Sequence, residues 1–234
     1  MTIKGILFDK DGTLVDFQQT WHAVAVSMAL RAAEGDQKRA DLLMEVAGYD
    51  FENRRFKADS VFAAGTNADI VELWYPHLSG EERAMMITEF DTVTAEEGAL
   101  QAVPLPGARE ALASLHARGL RIGLATNDST GGAEKTLLAL GIAQLFDAVY
   151  GYDAVANPKP APDPVLAFCD FTGLKPSQVA MVGDNRHDLV MARAAGAGLA
   201  VGVLSGTGTR EALTPLAHIV MDSVADLPGY LAGG

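Results

Sequence analysis

The sequence predicts an α/β protein: a doubly wound, Rossmann-like parallel sheet with an α-helical cap inserted after its first strand. Two observations lead to this fold class. From Pro106 onward, short apolar runs alternate with segments of helical spacing, the pattern of strands joined by helical crossovers. From about Phe17 to Gly98 the chain shows helical spacing and charge but no convincing strand. A helical unit therefore interrupts a parallel sheet.

The individual elements follow from apolar runs, their spacing and the turn residues that bound them. The predicted strands are 3–9, 120–126, 148–151, 179–184, 199–204 and 219–221. The predicted cap helices are 20–34, 37–47, 67–78 and 80–96, and a further helix is expected over 163–172. We expect Ser79 to cap the last cap helix, and a turn at Gly65, Thr66 and Asn67 to cap the helix before it.

These elements divide the chain into two predicted domains. The core domain is expected to comprise residues 1–16 and 99–234, and the cap domain residues 17–98. The segment 103–107, Val-Pro-Leu-Pro-Gly, is the expected return linker.

Composition limits the partners. The 234 residues carry a net charge of −12, which argues against nucleic-acid or membrane-surface partners because both demand lysine and arginine. No apolar run reaches the length of about 20 residues that spans a bilayer. The single cysteine, Cys169, suits a reducing compartment and is expected to be a buried core thiol. These features predict a cytoplasmic protein with a small, diffusible ligand, present as a monomer or homodimer.

The stretch Asp9-Lys10-Asp11-Gly12-Thr13 places two carboxylates two residues apart where the first strand ends. Ligands bind at this edge of open α/β sheets. Two like charges this close repel each other unless a cation neutralises them. Mg²⁺ would remove that repulsion and leave one aspartate free to attack phosphorus. Taken alone, the stretch also suits a solvated turn.

Three further stretches decide between those two interpretations. Thr126 and Asn127 follow the second buried strand and are able to donate hydrogen bonds to a phosphoryl oxygen. Lys159 stands in a loop stiffened by prolines, as a point charge for phosphate. Asp184 and Asp188 follow a later strand, four residues apart, and are able to complete a cation site. A nucleophile, a cation and a lysine are the parts that phosphoryl transfer requires.

This set of four motifs resembles that of the haloacid dehalogenase superfamily, whose phosphatases carry DxDGT, a Thr or Ser, a Lys and GDxxxD. The resemblance implies that Asp9 is the nucleophile and becomes an aspartyl phosphate, and that Asp11 is the acid/base. It also implies phosphoryl binding by Thr126, Asn127 and Lys159. Mg²⁺ would be held by Asp9, the Asp11 main-chain carbonyl and Asp184, while Asp188 would orient Lys159 or a metal-bound water.

Two residues depart from the superfamily pattern. Asn185 stands where these phosphatases often have Ser or Thr, and Lys10 lies where an apolar or aromatic residue is common. Neither removes a group that the chemistry needs. Asp11 itself argues against a dehalogenase, because the dehalogenases of the superfamily lack this second aspartate.

The position of the cap resembles that of the superfamily's helical cap class, typified by phosphoglycolate phosphatases and their sugar-phosphate relatives. A cap excludes water and contacts the substrate beyond its phosphate. The candidate specificity residues are Phe17, Trp21, His22, Arg54 and Arg55, although core packing explains the two aromatic residues and solvation explains the two arginines equally well. We expect His187, between the two acids of the last motif, to turn toward the surface.

The expected function is Mg²⁺-dependent hydrolysis of a small cytosolic phosphomonoester, with phosphoglycolate as the best single candidate by resemblance. One alternative is a phosphomutase of the same fold, similar to β-phosphoglucomutase, which uses the same two aspartates. A second alternative, from a different class, is a non-catalytic sensor of a phosphorylated ligand, which would need no proton donor.

Overall fold

The computed structural model describes residues 2–233 and contains a six-stranded parallel sheet. The strands of the chain are β1 (Gly5–Phe8), β2 (Tyr49–Asp50), β3 (Arg55–Phe56), β4 (Arg121–Ala125), β5 (Ala148–Tyr150), β6 (Val179–Gly183), β7 (Leu199–Val203) and β8 (Ile219–Met221). The sheet has the order β5-β4-β1-β6-β7-β8. Its six strands confirm the predicted ones to within two residues at either end.

Eleven α-helices surround and extend this sheet within the described residues. They are α1 (Phe17–Ala32), α2 (Gln37–Val46), α3 (Val61–Ala64), α4 (Asn67–Trp74), α5 (Gly80–Leu100), α6 (Ala108–Ala117), α7 (Thr130–Ala139), α8 (Asp163–Thr172), α9 (Arg186–Ala195), α10 (Arg210–Leu213) and α11 (Leu227–Gly233). Short 3₁₀ segments lie at Ala143–Leu145, Tyr152–Ala154, Pro176–Gln178 and Val224–Asp226. None of these helices is both long and apolar enough to cross a membrane.

Both faces of the sheet are covered by helices, as the doubly wound fold class requires. Ile6 and Phe8 of β1 pack into a buried cluster with α6, α7 and α11. Leu7, which points to the opposite face, packs into a second cluster with α8, α9 and α10. Cys169 lies in this second cluster, which confirms its assignment as a buried core thiol.

Residues 17–90 contribute a third buried cluster, separate from the two on the sheet. It contains Phe17, Trp21, Phe56 and Phe90, and aromatic edge contacts join several of its rings, such as Phe17 to Phe56 at 5.6 Å. A helical cap with its own core therefore follows β1. Helix α5 continues to Leu100, so the expected domain boundary after residue 98 falls inside its last turn. The exact division into core and cap stays a prediction.

The cap contains a β-hairpin that the sequence analysis did not predict. Strands β2 and β3 pair antiparallel, Tyr49 with Phe56 and Asp50 with Arg55. The Asp50 carboxylate holds the turn by accepting hydrogen bonds from the main chain and side chain of Asn53, at 3.0 and 2.9 Å. Each strand has only two residues, too few to show an alternating pattern.

Three of the four predicted cap-helix starts are correct, but α1 begins at Phe17, three residues before the predicted start, because Asp16 caps it by accepting a hydrogen bond from the Gln19 main chain. Thr66 caps α4 and forms a capping box with Asp69. Ser79 is the residue before α5, but its side chain makes no capping hydrogen bond.

The two connections between cap and sheet run side by side. The main-chain nitrogen of Asp16 donates to the Val103 carbonyl at 2.8 Å, and that of Leu105 donates to the Leu14 carbonyl at 2.9 Å. Residues 103–107 thus form the expected return linker. The cap also bonds to the core farther out, where the Tyr152 hydroxyl donates to Asp91 at 2.6 Å.

The sheet contains a glycine whose replacement tests the packing of one helical layer. A Cβ on Gly123 of β4 would lie 2.8 Å from the buried ring of Phe168 and 2.9 Å from Leu7. We expect Gly123→Ala to lower the free energy of unfolding by about 1–3 kcal/mol, because overpacking a close-packed layer displaces its side chains. Urea denaturation measures this loss.

Gly131 of α7 provides the matched control, since nothing lies within 4 Å of its would-be Cβ. Gly131→Ala should be neutral or raise the free energy of unfolding by up to about 1 kcal/mol. An equal loss in both variants would contradict the packing argument.

Candidate active site

The polar residues singled out in the sequence lie at one edge of the sheet. β1 is in the middle and pairs in parallel with β4 on one side and β6 on the other. Asp9, Thr126 and Asp184 each follow the last residue of one of these strands. Because parallel strands end at the same edge, the three side chains are brought together there.

A buried lysine lies at the centre of this edge. Lys159 Nζ donates to Asp9 Oδ1 at 2.6 Å and to Asp188 Oδ1 at 2.8 Å. All three side chains are almost inaccessible to solvent. Burial lowers the pKa of Lys159, but Asp188 and Asp9 raise that pKa by more, so the ammonium form is strongly favoured.

Asp9, Asp184 and Asp188 form a buried acidic cluster around that lysine. One carboxylate oxygen from each lies within 4.8 Å of the others. The pKa of Asp9 is raised well above its ordinary value by burial, against the opposing effect of Lys159, and Asp188 and Asp184 raise it further. Burial, followed by the charge of Asp188, raises the pKa of Asp184 to about 7.

These carboxylates suit a divalent cation. Three buried carboxylates face one ammonium group, so negative charge is in excess, and this excess adds to the larger effect of burial in raising the pKa of Asp9 and Asp184. Carboxylate oxygens are the ligands that Mg²⁺ prefers. Thr207 fixes one of these acids, because its main-chain nitrogen donates to Asp184 Oδ2 at 2.7 Å.

Two glycines make room for the Asp184 carboxylate. Gly12 has a φ of +78°, and a Cβ there would lie 2.6 Å from Asp184 Oδ2. A Cβ on Gly206 would clash with the same carboxylate. The glycine-containing loop after β7 therefore borders the site.

Asp11 is held by a different set of side chains. Its Oδ1 accepts a hydrogen bond from Trp21 Nε1 at 2.6 Å, and its Oδ2 lies 2.9 Å from Lys10 Nζ. Lys10 makes a second ion pair, also of 2.9 Å, with Asp128. The sequence analysis did not foresee these contacts; the signal available was the lysine that stands between the two acids.

Thr126 and Asn127 both border the cavity beside Asp9. The Thr126 hydroxyl accepts a hydrogen bond from the Asp128 main chain at 3.1 Å, which leaves its own hydrogen free to be donated. The side-chain nitrogen of Asn127 donates to the main-chain carbonyls of Ala64, at 2.8 Å, and Lys159, at 3.2 Å. The first bond joins the core to the cap and the second lies within the core. Together they use both amide hydrogens, so the expected side-chain contact to a phosphoryl group has no free donor.

A cavity of about 70 Å³ lies over these residues, between the core and the cap. Its core side includes Asp9, Asp11, Thr126, Asn127, Asp128, Lys159, Asn185 and His187. Its cap side includes Phe17, Trp21, Phe62, Thr66, Asn67, Ile70 and Thr94. The cap therefore covers the acids with a mostly apolar surface.

A family model described as haloacid dehalogenase-like hydrolase matches residues 3–196, well over half of the chain. The chain belongs to the haloacid dehalogenase-like hydrolases. This confirms the family that the four motifs resemble. It also confirms, at the level of the family, the expectation of a phosphoric monoester hydrolase.

Relatives of this hydrolase cover nearly its whole length. The phosphoglycolate phosphatase of Salmonella typhimurium strain LT2 is 35% identical over 239 residues, which are 96% of this chain and 91% of that protein. That of Escherichia coli strain K12 is 35% identical over 242 residues with the same coverage. A crystal structure described as a predicted phosphoglycolate phosphatase from Haemophilus somnus 129PT is similar with a TM-score of 0.74, 26% identity and 98% coverage of both chains.

Of the candidate specificity residues, the structure places Phe17 and Trp21 at the cavity of the hydrolase. His22, Arg54 and Arg55 are exposed and are not among the residues that line it. His22 lies against Tyr49, with 5.0 Å between ring centroids. Arg54, with a φ of +52°, is in the turn of the β2–β3 hairpin. The side chains of both arginines are exposed to solvent at the hairpin, and they do not line this cavity.

His187 is closer to the site than expected. It is partly buried, borders the cavity, and its Nδ1 is buried with no hydrogen-bond partner among the described residues. The reason is its place in the first turn of α9, directly after the Asn185 cap, because that turn begins at the sheet edge where the acids lie. The expectation of a surface position was wrong.

Asp184 predicts a pH dependence of stability in the metal-free hydrolase. Its pKa of about 7 lies well above the ordinary value of an aspartate, so between about pH 4 and pH 7 the folded protein holds a proton that the unfolded chain releases. The contribution of this proton to the free energy of unfolding is present in acid and is lost as the pH rises through about 7. We expect Asp184→Asn to flatten the fall in stability from about pH 5 to about pH 8 by about 1 kcal/mol or more, since one pKa unit corresponds to about 1.4 kcal/mol.

Urea titration in EDTA at the two pH values measures this difference. Added Mg²⁺ should stabilise the wild-type protein more at the higher pH, because the cation and the proton compete for the same carboxylates. Asp170→Asn, at an exposed position of α8, controls for loss of a negative charge. Identical pH slopes in the wild-type protein and Asp184→Asn would refute the assignment.

Proposed function

We propose that this hydrolase is a Mg²⁺-dependent phosphatase that cleaves a small phosphomonoester through an aspartyl phosphate on Asp9. The observation that carries the proposal is the buried Asp9–Lys159 pair, 2.6 Å apart, inside the cluster formed with Asp184 and Asp188. Phosphoryl transfer depends on positioning and charge neutralisation, and this arrangement supplies both around one nucleophilic oxygen.

In the proposed first step, a carboxylate oxygen of Asp9 attacks phosphorus and the bond from phosphorus to the leaving oxygen breaks. Lys159 lies within hydrogen-bond distance of Asp9, so it also reaches an oxygen of a phosphoryl group bonded there. The Thr126 hydroxyl has a hydrogen to donate to the same group. Mg²⁺ held by Asp9, Asp184 and the Asp11 main-chain carbonyl would neutralise phosphoryl charge.

Asp11 is the proposed proton carrier. It borders the same cavity as Asp9 and is not part of the acidic cluster that holds Lys159. In the first step it would protonate the leaving oxygen, and in the second it would take a proton from the water that attacks the aspartyl phosphate. The second step releases inorganic phosphate and restores the Asp9 carboxylate.

The cavity favours a small substrate. Its volume of about 70 Å³ holds the equivalent of several water molecules, since one water needs roughly 10–15 Å³ by this kind of measure. The two relatives at 35% identity described above are phosphoglycolate phosphatases, and a two-carbon phosphate ester suits this space better than a six-carbon sugar phosphate. We therefore propose phosphoglycolate, or a compound of similar size, as the substrate. Cytoplasmic location and the monomer or homodimer state stay predictions.

The small volume of the cavity also argues against the phosphomutase alternative. A mutase returns the phosphate to a different position of a sugar, and that sugar must reorient within the site. The non-catalytic sensor has less support from the site. Asp11 is held at the cavity by two partners, Trp21 and Lys10, and a binding protein has no need for a positioned acid.

His187 is the proposed contact for the carboxylate end of the substrate. No arginine or lysine is among the cap residues that line the cavity in the described part of the chain, and Lys159 is committed to Asp9 and Asp188. His187 borders the cavity, and its buried Nδ1 has no hydrogen-bond partner among the described residues. A substrate carboxylate would provide that partner.

Replacing the nucleophile tests the reaction. We expect Asp9→Asn to lower kcat for phosphoglycolate at least about a thousandfold, because an amide does not attack phosphorus and the aspartyl phosphate does not form. Release of inorganic phosphate with Mg²⁺ or EDTA is the measurement, and circular dichroism checks the fold. Asp170→Asn should keep wild-type activity. Normal turnover in Asp9→Asn would disprove the nucleophile assignment, whereas transfer of phosphate to a sugar without net release would favour the mutase.

Replacing His187 tests the substrate assignment. We expect His187→Ala to raise KM for phosphoglycolate about tenfold, the loss of one hydrogen bond to a charged group, with little change in kcat. The comparison substrate is 2-hydroxyethyl phosphate, of similar size but without a carboxylate, for which KM should stay unchanged. An equal rise in KM for both compounds would show that His187 does not bind the carboxylate.

A further inference from the structure

Lys10 is the buried charge that the proposed reaction does not use. Lys10 lies between Asp9 and Asp11 at the end of β1. Its side chain is only 1% exposed. Its Nζ is 2.9 Å from Asp11 Oδ2 and 2.9 Å from Asp128 Oδ2, and 4.9 Å from the centroid of the Trp21 ring. The ammonium group thus contacts Asp11, Asp128 and the ring of Trp21, and Trp21 itself donates to Asp11.

We propose that Lys10, anchored by Asp128, is a positioning residue that orients the Asp11 carboxyl group toward the leaving oxygen of the substrate. The proposal rests on the proposed phosphatase function, because it concerns the residue that moves the proton in that reaction. Lys10 does not touch the substrate in this assignment; it acts through Asp11.

Asp128 is a suitable anchor because its own position is fixed by the loop after β4. Its main-chain nitrogen donates to the Thr126 hydroxyl at 3.1 Å, and its Oδ1 accepts from the Ser129 main chain at 2.7 Å. A Cβ on Gly132 would lie 2.8 Å from that same oxygen, so the next helix also confines it. Lys10 therefore links Asp11 to a rigid part of the core.

The other oxygen of Asp11 is fixed from the cap. Trp21 Nε1 donates to Asp11 Oδ1 at 2.6 Å, while Lys10 contacts Oδ2. Two contacts, one on each oxygen, set the rotation of a planar carboxyl group that a single contact leaves free. Asp11 keeps 16% of its side chain exposed and borders the cavity, so the fixed group remains accessible to a substrate.

Stability alone does not account for a lysine here. Taking an ammonium group and two carboxylates out of water costs several kcal/mol per ion, and apolar residues of similar volume often stabilise a protein as well or better. What the ion pairs provide and an apolar residue would not is a fixed positive charge 2.9 Å from Asp11 Oδ2. Orientation of a catalytic group within a fraction of an ångström strongly affects rate.

The step that depends on this orientation is proton transfer to the leaving group. As the bond from phosphorus to the leaving oxygen breaks, the electron pair remains on that oxygen and takes the Asp11 proton. A p-nitrophenolate ion is a weak base and leaves without being protonated, whereas an alkoxide is a strong base and needs the proton in order to leave. Loss of orientation should therefore slow cleavage of alkyl phosphates far more than cleavage of p-nitrophenyl phosphate.

The test measures release of the leaving group in the first turnover, by rapid quench, with phosphoglycolate and p-nitrophenyl phosphate. We expect Lys10→Met to slow this release about tenfold to a hundredfold for phosphoglycolate, part of the contribution of a general acid, and less than about threefold for p-nitrophenyl phosphate. Asp11→Asn should show the same pattern with a larger loss. Lys38→Met, at an exposed position of α2, is the matched control and should behave as wild type.

Asp128→Asn is a second variant in case Lys10→Met does not fold, because it keeps the shape of the anchor and removes its charge. It should give the same selectivity for the alkyl phosphate with a smaller loss. Lys10→Arg, which retains the charge, should recover part of the rate for phosphoglycolate.

The outcomes separate the two proposals. Equal losses on both substrates, or no loss on either, would overturn the positioning role of Lys10 while the phosphatase function stands. No release from either substrate by the wild-type protein with Mg²⁺ would overturn the phosphatase function and the positioning role together. A selective loss on the alkyl phosphate supports both.

Discussion

The excess of buried negative charge at the edge of the sheet is the constraint on which the rest of the site depends. Asp9, Asp184 and Asp188 surround one lysine, and burying each ion costs several kcal/mol unless partners compensate for the lost water. The fold supplies such partners from the Thr207 main chain and from the Asn185 main chain, which donates to Asp188 at 3.0 Å. The remaining charge excess is what suits this edge of the sheet to a cation.

Two lysines give the two aspartates of the first motif different surroundings. Lys159, from the loop before α8, pairs with Asp9, whereas Lys10, from the end of β1, pairs with Asp11. Residues only two apart in sequence thus belong to separate charge groups. Pairs of acids in distinct environments are the usual basis for assigning them distinct chemical roles, and here Asp9 is the more deeply buried of two acids that both border the cavity.

The sheet and its catalytic edge were predictable because each depends on local sequence. Strands buried on both faces read as continuous apolar runs, and residues at their carboxyl ends meet without further information. The contacts around Asp11 were not predictable in this way. Trp21 is ten residues from Asp11 and Asp128 is more than a hundred from Lys10, and only the packing of the cap and of β4 brings them together. The same limit applies to Arg54 and Arg55, whose direction depends on a hairpin of two-residue strands, and to His22 of α1, which packs against Tyr49 of that hairpin.

The paired connections between cap and core have a consequence for how such an enzyme changes over time. The chain leaves the sheet beside Leu14 and returns beside Leu105, one hydrogen bond away, so the gap that the sheet presents is about the spacing of two neighbouring strands, 4.7–4.9 Å. Any inserted unit whose two ends lie that close together can be connected at this point without moving β1 or the acids that follow it. The lid can therefore be lengthened, shortened or exchanged for another, and substrate preference can diverge while the phosphoryl-transfer machinery stays unaltered.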